Sequence, residues 1–193
     1  MGRTSLIAGL EPMDRSRIAK AIAEASLLRG NFVLRSGKQS SYYLDKYLFS
    51  TRPELLAQLA SLFAEAVRSV QRDTGVMIDR LAGAELGGIP LVTAASLATG
   101  LPSIFVRNQK KDYGTSKQVE GAVKKGEVVV LIEDVATTGG QSLEAVRTLR
   151  ELGATVPAVI VTIDRQEGAR ENIEREGLRF EALFTKRDLG IDA

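Results

Sequence analysis

The chain has 193 residues, enough for one domain with a sizeable core, and its 44% hydrophobic and 26% charged residues are ordinary for a soluble globular protein. A formal charge of +2 gives no general electrostatic case for nucleic-acid binding, and the absence of both Cys and His excludes disulfides, thiolate zinc sites and imidazole acid/base chemistry. Any metal must therefore be a hard cation held by oxygen, with magnesium beside phosphates as the natural candidate.

The N-terminal MGRTSLIAGLEP lacks a signal-peptide core, and no apolar run nears the roughly 20 residues needed to span a bilayer, so a cytoplasmic location without membrane attachment is expected. From Asp14 to Leu28 the residues Ile18, Ala21, Ile22, Ala25 and Leu28 follow helical spacing. They predict an amphipathic helix capped by Asp14 and stopped by Gly30. NFVLRSGKQSSYYLDKYLF reads as two short strands about the polar turn SGKQS. Thr51 and Pro53 then open a helix whose face carries Leu55, Leu56, Leu59, Leu62, Phe63, Ala66, Val67 and Val70.

Beyond that helix the pattern alternates. Strands are expected near Val76–Leu81, Ser103–Val106, Val128–Ile132, Pro157–Ile163 and Phe180–Phe184, with helices near Ile89–Ala98, from Ser142, and near Ala169–Arg175. Alternation of this kind predicts an α/β fold with a central parallel sheet flanked by helices. The segment from Arg107 to Gly126, RNQKKDYGTSKQVEGAVKKG, breaks the pattern. It is polar, mostly basic and without periodicity, which fits either a solvated hairpin or a mobile anion-binding lid.

The sharpest chemical signal is EVVVLIEDVATTGGQS, residues 127–142. Its unbroken apolar run suits a strand buried on both faces, so a ligand site is expected at its carboxyl end. Adjacent strand residues point to opposite faces, from which Glu133 and Asp134 are not both expected in the core. Gly139 and Gly140 permit close backbone approach, and the helix that follows aims its amides back at the loop. Carboxylates suited to hydroxyls or a metal thus adjoin amides suited to a phosphate. A response-regulator receiver also has an acidic pair after a strand, but near its chain start and without a glycine-rich cradle. A P-loop is excluded because no Gly-Lys-Ser/Thr occurs.

Together with NFVLRSGKQSSYYLDKY, LAGAELGGIPLVTAAS, FVRNQKKDYGT followed by VEG, and IDRQEGARENI, this stretch resembles type I phosphoribosyltransferases, and specifically the orotate phosphoribosyltransferase family. The resemblance spans nearly the whole chain. It implies a single phosphoribosyltransferase domain over 1–193, with an N-terminal helix and hood strands over about 1–50, an α/β core over about 51–193, and a flexible catalytic loop. It implies transfer of ribose 5-phosphate from phosphoribosyl pyrophosphate to orotate in UMP biosynthesis, with Mg2+ held mainly through substrate oxygens and water and no certain protein ligand.

The resemblance also assigns roles. Glu133 and Asp134 would hold the ribose hydroxyls, and Ala136, Thr137, Thr138, Gly139, Gly140 and Gln141 would wrap the 5-phosphate. Arg35, Thr137 and Arg165 would contact orotate, Arg165 having as its structural alternative an ion pair with Asp164 or Glu167. Arg107 and Lys111 would contact pyrophosphate, Lys111, Asp134 and Arg107 being the catalytic set. Asn108 and Tyr113 also face the donor, but they stand where many members carry lysine and histidine, so the anion clamp lacks one cation, for which Lys110 is the nearest substitute. Glu85 either faces metal-bound water or caps the helix at Gly88. The functional unit would be a homodimer whose loop covers the neighbouring subunit's site. Two alternatives differ in kind: a related transferase acting on another base, and a non-catalytic nucleotide-sensing regulator of the same fold.

Overall fold

The protein was analysed as a computed structural model, which describes residues 14–33, 37, 39–108 and 118–191. Helix α1 (Arg15–Ser26) begins as its sequence indicates, because the Asp14 carboxylate accepts from the Arg17 N–H at 2.8 Å. It does not run to Gly30. From Leu27 the chain becomes strand β1 (Leu27–Val33), pairing antiparallel with β2 (Gln39–Leu44), and Gly30 falls where the register shifts between Arg29 and Phe32. The end of the expected second strand is helical instead. Asp45 accepts from the Tyr47 N–H at 3.1 Å and so starts the short helix α2 (Lys46–Ser50).

Pro53 occupies the first turn of α3 (Pro53–Thr74), where its missing N–H costs nothing, and Gly75 closes the helix. Leu55, Leu59, Leu62, Phe63, Val67 and Val70 are buried on one face, each contributing about 1.5–3 kcal/mol relative to exposure. Leu56 is half-buried.

The main sheet contains β3 (Arg80–Ala84), β4 (Ser103–Val106), β5 (Val119–Glu120), β6 (Val129–Ala136), β7 (Ala158–Asp164) and β8 (Arg179–Thr185) in the order β5-β4-β3-β6-β7-β8. All neighbours are parallel except β4 and β5. Helices α4 (Gly88–Thr99), α5 (Gly140–Glu151) and α6 (Ala169–Arg175) connect them. Strand β3 starts later than its apolar run predicted, at Arg80, where pairing with Val129 begins; Met77 before it is exposed. The basic segment returns as β5 along β4, so its far end is a hairpin arm; residues 109–117, on which a lid would depend, lie outside the described residues.

Alternate residues of β6 enter different cores. Val130 and Ile132 pack with α1, α3 and α4, whereas Val129 and Leu131 pack with α5 and α6. Because β3 pairs with β4 on one side and β6 on the other, the winding direction reverses there, and a crevice is expected at the carboxyl ends of β3 and β6.

Candidate active site

Strand β6 continues through Ala136 because β7 runs alongside it, with Glu133 beside Val161 and Ala136 beside Asp164. Both acids are therefore strand residues. Alternation along β6 would send Glu133 and Asp134 to opposite faces, but helices cover both faces and both acids are buried, at 3% and 0% exposure. The expectation that one would lie outside the core is corrected: neither side of this sheet is solvent.

Burial pushes the Glu133 carboxyl well above its ordinary value, and the adjacent Asp134 charge pushes it further. Its Oε1 accepts from the Asp134 N–H at 3.1 Å, while its Oε2 is buried without a hydrogen-bond partner. Asp134 is differently placed. Its Oδ1 accepts from the Val135 N–H at 2.6 Å and from Lys46 Nζ at 3.2 Å, and its Oδ2 lies 2.9 Å from the same ammonium. The Oδ2 contact is ionic rather than a well-aligned hydrogen bond. Desolvation is the largest single influence on Lys46 and works against its charge, but the charge and hydrogen bond of Asp134, joined by the nearby Glu133 and Tyr47, together outweigh it and raise the lysine above its ordinary value.

Below Asp134 runs the start of α4. A Cβ on Gly87 would fall 1.5 Å from Asp134 Oδ2, so only glycine lets the backbone pass there.

After β6 the residues Thr137 and Thr138 are exposed, and Gly139 turns left-handed at φ 79° to begin α5. No side chain caps that helix, which leaves its first amides directed at the loop. Helix α6 braces the turn: Asn172 Nδ2 donates to the Thr138 carbonyl at 2.9 Å, and a Cβ on Gly139 would meet Ile173 at 3.0 Å. Ala136 to Gln141 therefore form one continuous, cradle-shaped turn from the end of β6 into α5.

Arg165 follows β7, and its N–H donates to the Ala136 carbonyl at 2.9 Å, bringing it beside the cradle. Its guanidinium pairs with Glu167 at 3.0 Å, the ion pair foreseen as the structural alternative. It also donates to the Tyr42 hydroxyl at 3.0 Å and lies 5.6 Å from the Tyr42 ring centre. The N-terminal hairpin is thereby fastened to the loop after β7.

At the other end of the crevice, Glu85 Oε1 accepts from the Asn108 N–H at 2.7 Å, and the Glu85 carbonyl accepts from Gln141 Nε2 at 3.0 Å. Gln141 Nε2 also donates to Asn108 Oδ1 at 3.1 Å. Glu85 does not cap α4, so that alternative fails; it ties the end of β3 to the start of the basic segment. Arg107 Nη1 stands 3.7 Å from Glu120, and the Arg107 N–H donates to the Gln118 carbonyl at 2.8 Å, closing the base of that segment. Arg35, Lys110, Lys111 and Tyr113 lie outside the described residues.

Two residues at the site were given no role by sequence reasoning, Lys46 and Tyr42, although Tyr42 stands in the SG-x-x-S-x-YY segment that supports the resemblance. Both stand in the YYLDKY stretch, but nothing in periodicity marks either one. The available signal was electrostatic: a buried acid beside another acid requires a cation, and the sequence does not say which lysine supplies it.

The family model of the phosphoribosyl transferase domain matches residues 50–177. The orotate phosphoribosyltransferase of Natronomonas pharaonis is 44% identical over 181 residues, covering 93% of this chain and 99% of the relative. That of Pyrococcus furiosus is 41% identical over 177 residues, covering 92% and 95%. The chain belongs to the orotate phosphoribosyltransferase family. Among solved structures, the orotate phosphoribosyltransferase of Mycobacterium tuberculosis superposes with a TM-score of 0.79 at 31% identity, covering 93% of this chain and 100% of that one. The Aeropyrum pernix orotate phosphoribosyltransferase gives 0.77 at 33% identity, covering 89% and 95%. A further Mycobacterium tuberculosis structure, in complex with 5-phospho-alpha-D-ribosyl 1-diphosphate, gives 0.75 at 31% identity. The orotate phosphoribosyltransferase fold thus extends over nearly the whole chain, hairpin segment and core together.

Proposed function

We propose that the chain transfers ribose 5-phosphate from phosphoribosyl pyrophosphate to orotate, forming orotidine 5-monophosphate and pyrophosphate in pyrimidine biosynthesis. The observation that carries this reading is the junction of Asp134 with the Ala136–Gln141 cradle at the point where the sheet reverses its winding, a carboxylate for ribose hydroxyls joined to amides for its 5-phosphate. Relatives and solved structures of the same family, one of them holding the donor, support it.

Breaking the anomeric bond leaves positive charge on the ribose ring and negative charge on pyrophosphate, so the protein contributes electrostatics more than a base. Asp134 orients the ribose and balances ring charge. Glu133, held toward its protonated form, offers a buried hydroxyl or acceptor to the same sugar. Arg107, with Lys111 in the segment beyond it, meets the departing pyrophosphate; removing one preorganised partner of this kind costs about 100- to 1000-fold in rate. Arg165 and Thr137, with Arg35 in the N-terminal segment, receive the orotate. Its carboxylate suits the guanidinium of Arg165.

The donor set fits magnesium, since every side-chain ligand on offer is a hard oxygen and Glu133 Oε2 is buried without a partner. Among the described residues no three carboxylates converge into a cage, so the ion would be held chiefly through the donor's own oxygens, with Asp134 and Glu133 as the neighbouring acidic side chains. Bound there, it would offset charge on the pyrophosphate. The unit is a single domain whose first 50 or so residues form a hood, working in the cytoplasm as a two-fold dimer in which the Lys111 segment covers the partner's site. No helix among the described residues is long and apolar enough to cross a membrane.

The deciding experiment follows orotate absorbance in the presence of donor and magnesium, with hypoxanthine, adenine and uracil in parallel. Consumption of orotate alone is expected; consumption of another base in its place would assign a different transferase, and consumption of none would favour a nucleotide-sensing regulator.

A further inference from the structure

We propose that Lys46 is a positioning residue for the ribose-binding carboxylate, its ammonium fixing both oxygens of Asp134 in the orientation that receives the donor's hydroxyls. The inference deepens the proposed transferase reading and rests on it.

Asp134 is fully buried beside a second acid, and such a carboxylate stays ionised and directed only if an opposite charge compensates its lost hydration. Among the described residues Lys46 supplies that ion pair, reaching Oδ2 at 2.9 Å and Oδ1 at 3.2 Å. The other hydrogen bond to the carboxylate, from the Val135 N–H, holds Oδ1 alone. Rotation about the Asp134 side chain is therefore limited at Oδ1 by a backbone amide and at Oδ2 by Lys46. On the far side Gly87 leaves no room for Oδ2 to retreat, since even a methyl group there would overlap it.

The lysine is suited to this task by its own placement. It is the first residue of α2, whose start is set by the Asp45 cap, and the Asp45 N–H donates to the Ser26 carbonyl at 2.9 Å, which ties this point of the chain to the end of α1. Its side chain is 32% exposed, against 1% for that of Asp134, so the lysine keeps part of its hydration while its ammonium reaches the buried carboxylate. An incoming ribose thus meets an acid whose oxygens are already held in place, without a reorganisation cost at binding. Lys46 and Tyr42 belong to one stretch of chain, so the segment that orients the acceptor's arginine also orients the donor's carboxylate.

The test compares Lys46→Met with Lys46→Arg. Steady-state kinetics supply KM and kcat for donor and orotate, and calorimetry without magnesium measures binding of ribose 5-phosphate and of pyrophosphate as separate probes. For Lys46→Met, ribose 5-phosphate affinity and donor kcat/KM should each fall about 10- to 100-fold, the scale of a lost charge-assisted contact, while pyrophosphate affinity and orotate KM change less than about threefold. Lys46→Arg should recover most of the loss, because a guanidinium restores the charge. The proposal is overturned if Lys46→Met binds ribose 5-phosphate as the wild type does, if pyrophosphate affinity is what falls, if both substrates suffer equally, or if arginine restores nothing. Should the Met variant fail to fold, the Arg variant decides alone: near-wild-type ribose 5-phosphate affinity supports the charge role, and a loss as large as that of Asp134→Asn overturns it. A wild-type protein that neither binds ribose 5-phosphate nor consumes orotate would instead overturn the transferase reading itself.

Discussion

Gly87 lies so close beneath Asp134 that a Cβ at that position would sit 1.5 Å from Oδ2. The start of α4 and the Asp134 carboxylate therefore share one space, and neither can be enlarged without moving the other. Gly87→Ala is expected to displace Asp134 or the α4 turn, costing about 1–3 kcal/mol of stability, the usual penalty for overpacking, together with a large loss of turnover. Thermal melting and steady-state kinetics measure the two effects. An alanine variant with unchanged melting and turnover would show that the turn relaxes freely.

Asp134→Asn keeps the shape of the side chain and removes its charge. Folding should survive, since the amide can still accept from the Val135 N–H, while turnover drops about 100- to 1000-fold through loss of electrostatic stabilisation. Circular dichroism checks the fold and kinetics check the rate. Near-wild-type turnover in a folded variant would remove Asp134 from the mechanism.

Arg165 is held by both the Tyr42 hydroxyl and Glu167, each at 3.0 Å from its guanidinium. Arg165→Ala should weaken orotate binding by about 1.5–3 kcal/mol and donor binding less. Tyr42→Phe should have the milder effect, because it removes one hydrogen bond and leaves the ring stacked. Calorimetric titration with orotate separates the two, and equal losses for orotate and donor would make Arg165 architectural.

A loop shared between subunits can be tested by complementation. Lys111→Ala and Asp134→Asn proteins, each inactive, are mixed and allowed to exchange subunits. In a mixed dimer one site carries both defects and the other carries neither, so activity should return toward half the wild-type value per mixed dimer. Verified exchange without recovery would mean that Lys111 serves its own subunit or that the sites act together.

The Arg80–Glu127 pair, with contacts of 2.9 and 3.0 Å, sets a different, structural dependence on pH. Hydrogen bonds from Arg80, joined by the Lys124 N–H, hold the Glu127 carboxyl down to about 2 from an ordinary 4.5. Between those values the unfolded chain binds a proton that the folded chain does not, so this contribution is complete above pH 4.5 and disappears as pH falls toward 2. Glu127→Gln should therefore lower the melting temperature at neutral pH by an amount that shrinks steadily on acidification. A difference independent of pH would assign the effect to packing.

Much of the fold was legible because it rests on interactions close along the chain. The 3.6-residue spacing of α3, the Asp14 cap, the bounds of β4 and α6, and the unbroken apolar run of β6 are local properties, and the structure reproduces them. The cradle was legible for the same reason, since an acid pair, two threonines and two glycines lie in one continuous stretch. Where local signals competed, tertiary pairing decided. Helix α1 stops before Gly30 because β2 claims the residues from Leu27, and β3 begins where β6 and β4 can pair with it rather than where its apolar residues begin.

The sequence by itself determined the helices, the buried parallel strands and the junction of the acid pair with the glycine turn, because each depends on side chains within a few residues of one another. Only the tertiary structure decided which cation faces Asp134 and what holds Arg165, since Lys46 is 88 residues from its partner and Tyr42 is 123 from its own. Burial of both acids was likewise a property of the assembled layers: alternation along β6 is local, but whether either face meets water depends on helices packed from elsewhere in the chain. An ion pair carries no periodicity, and its partners are chosen by strand order and by the dielectric around them, neither of which exists until the chain has folded.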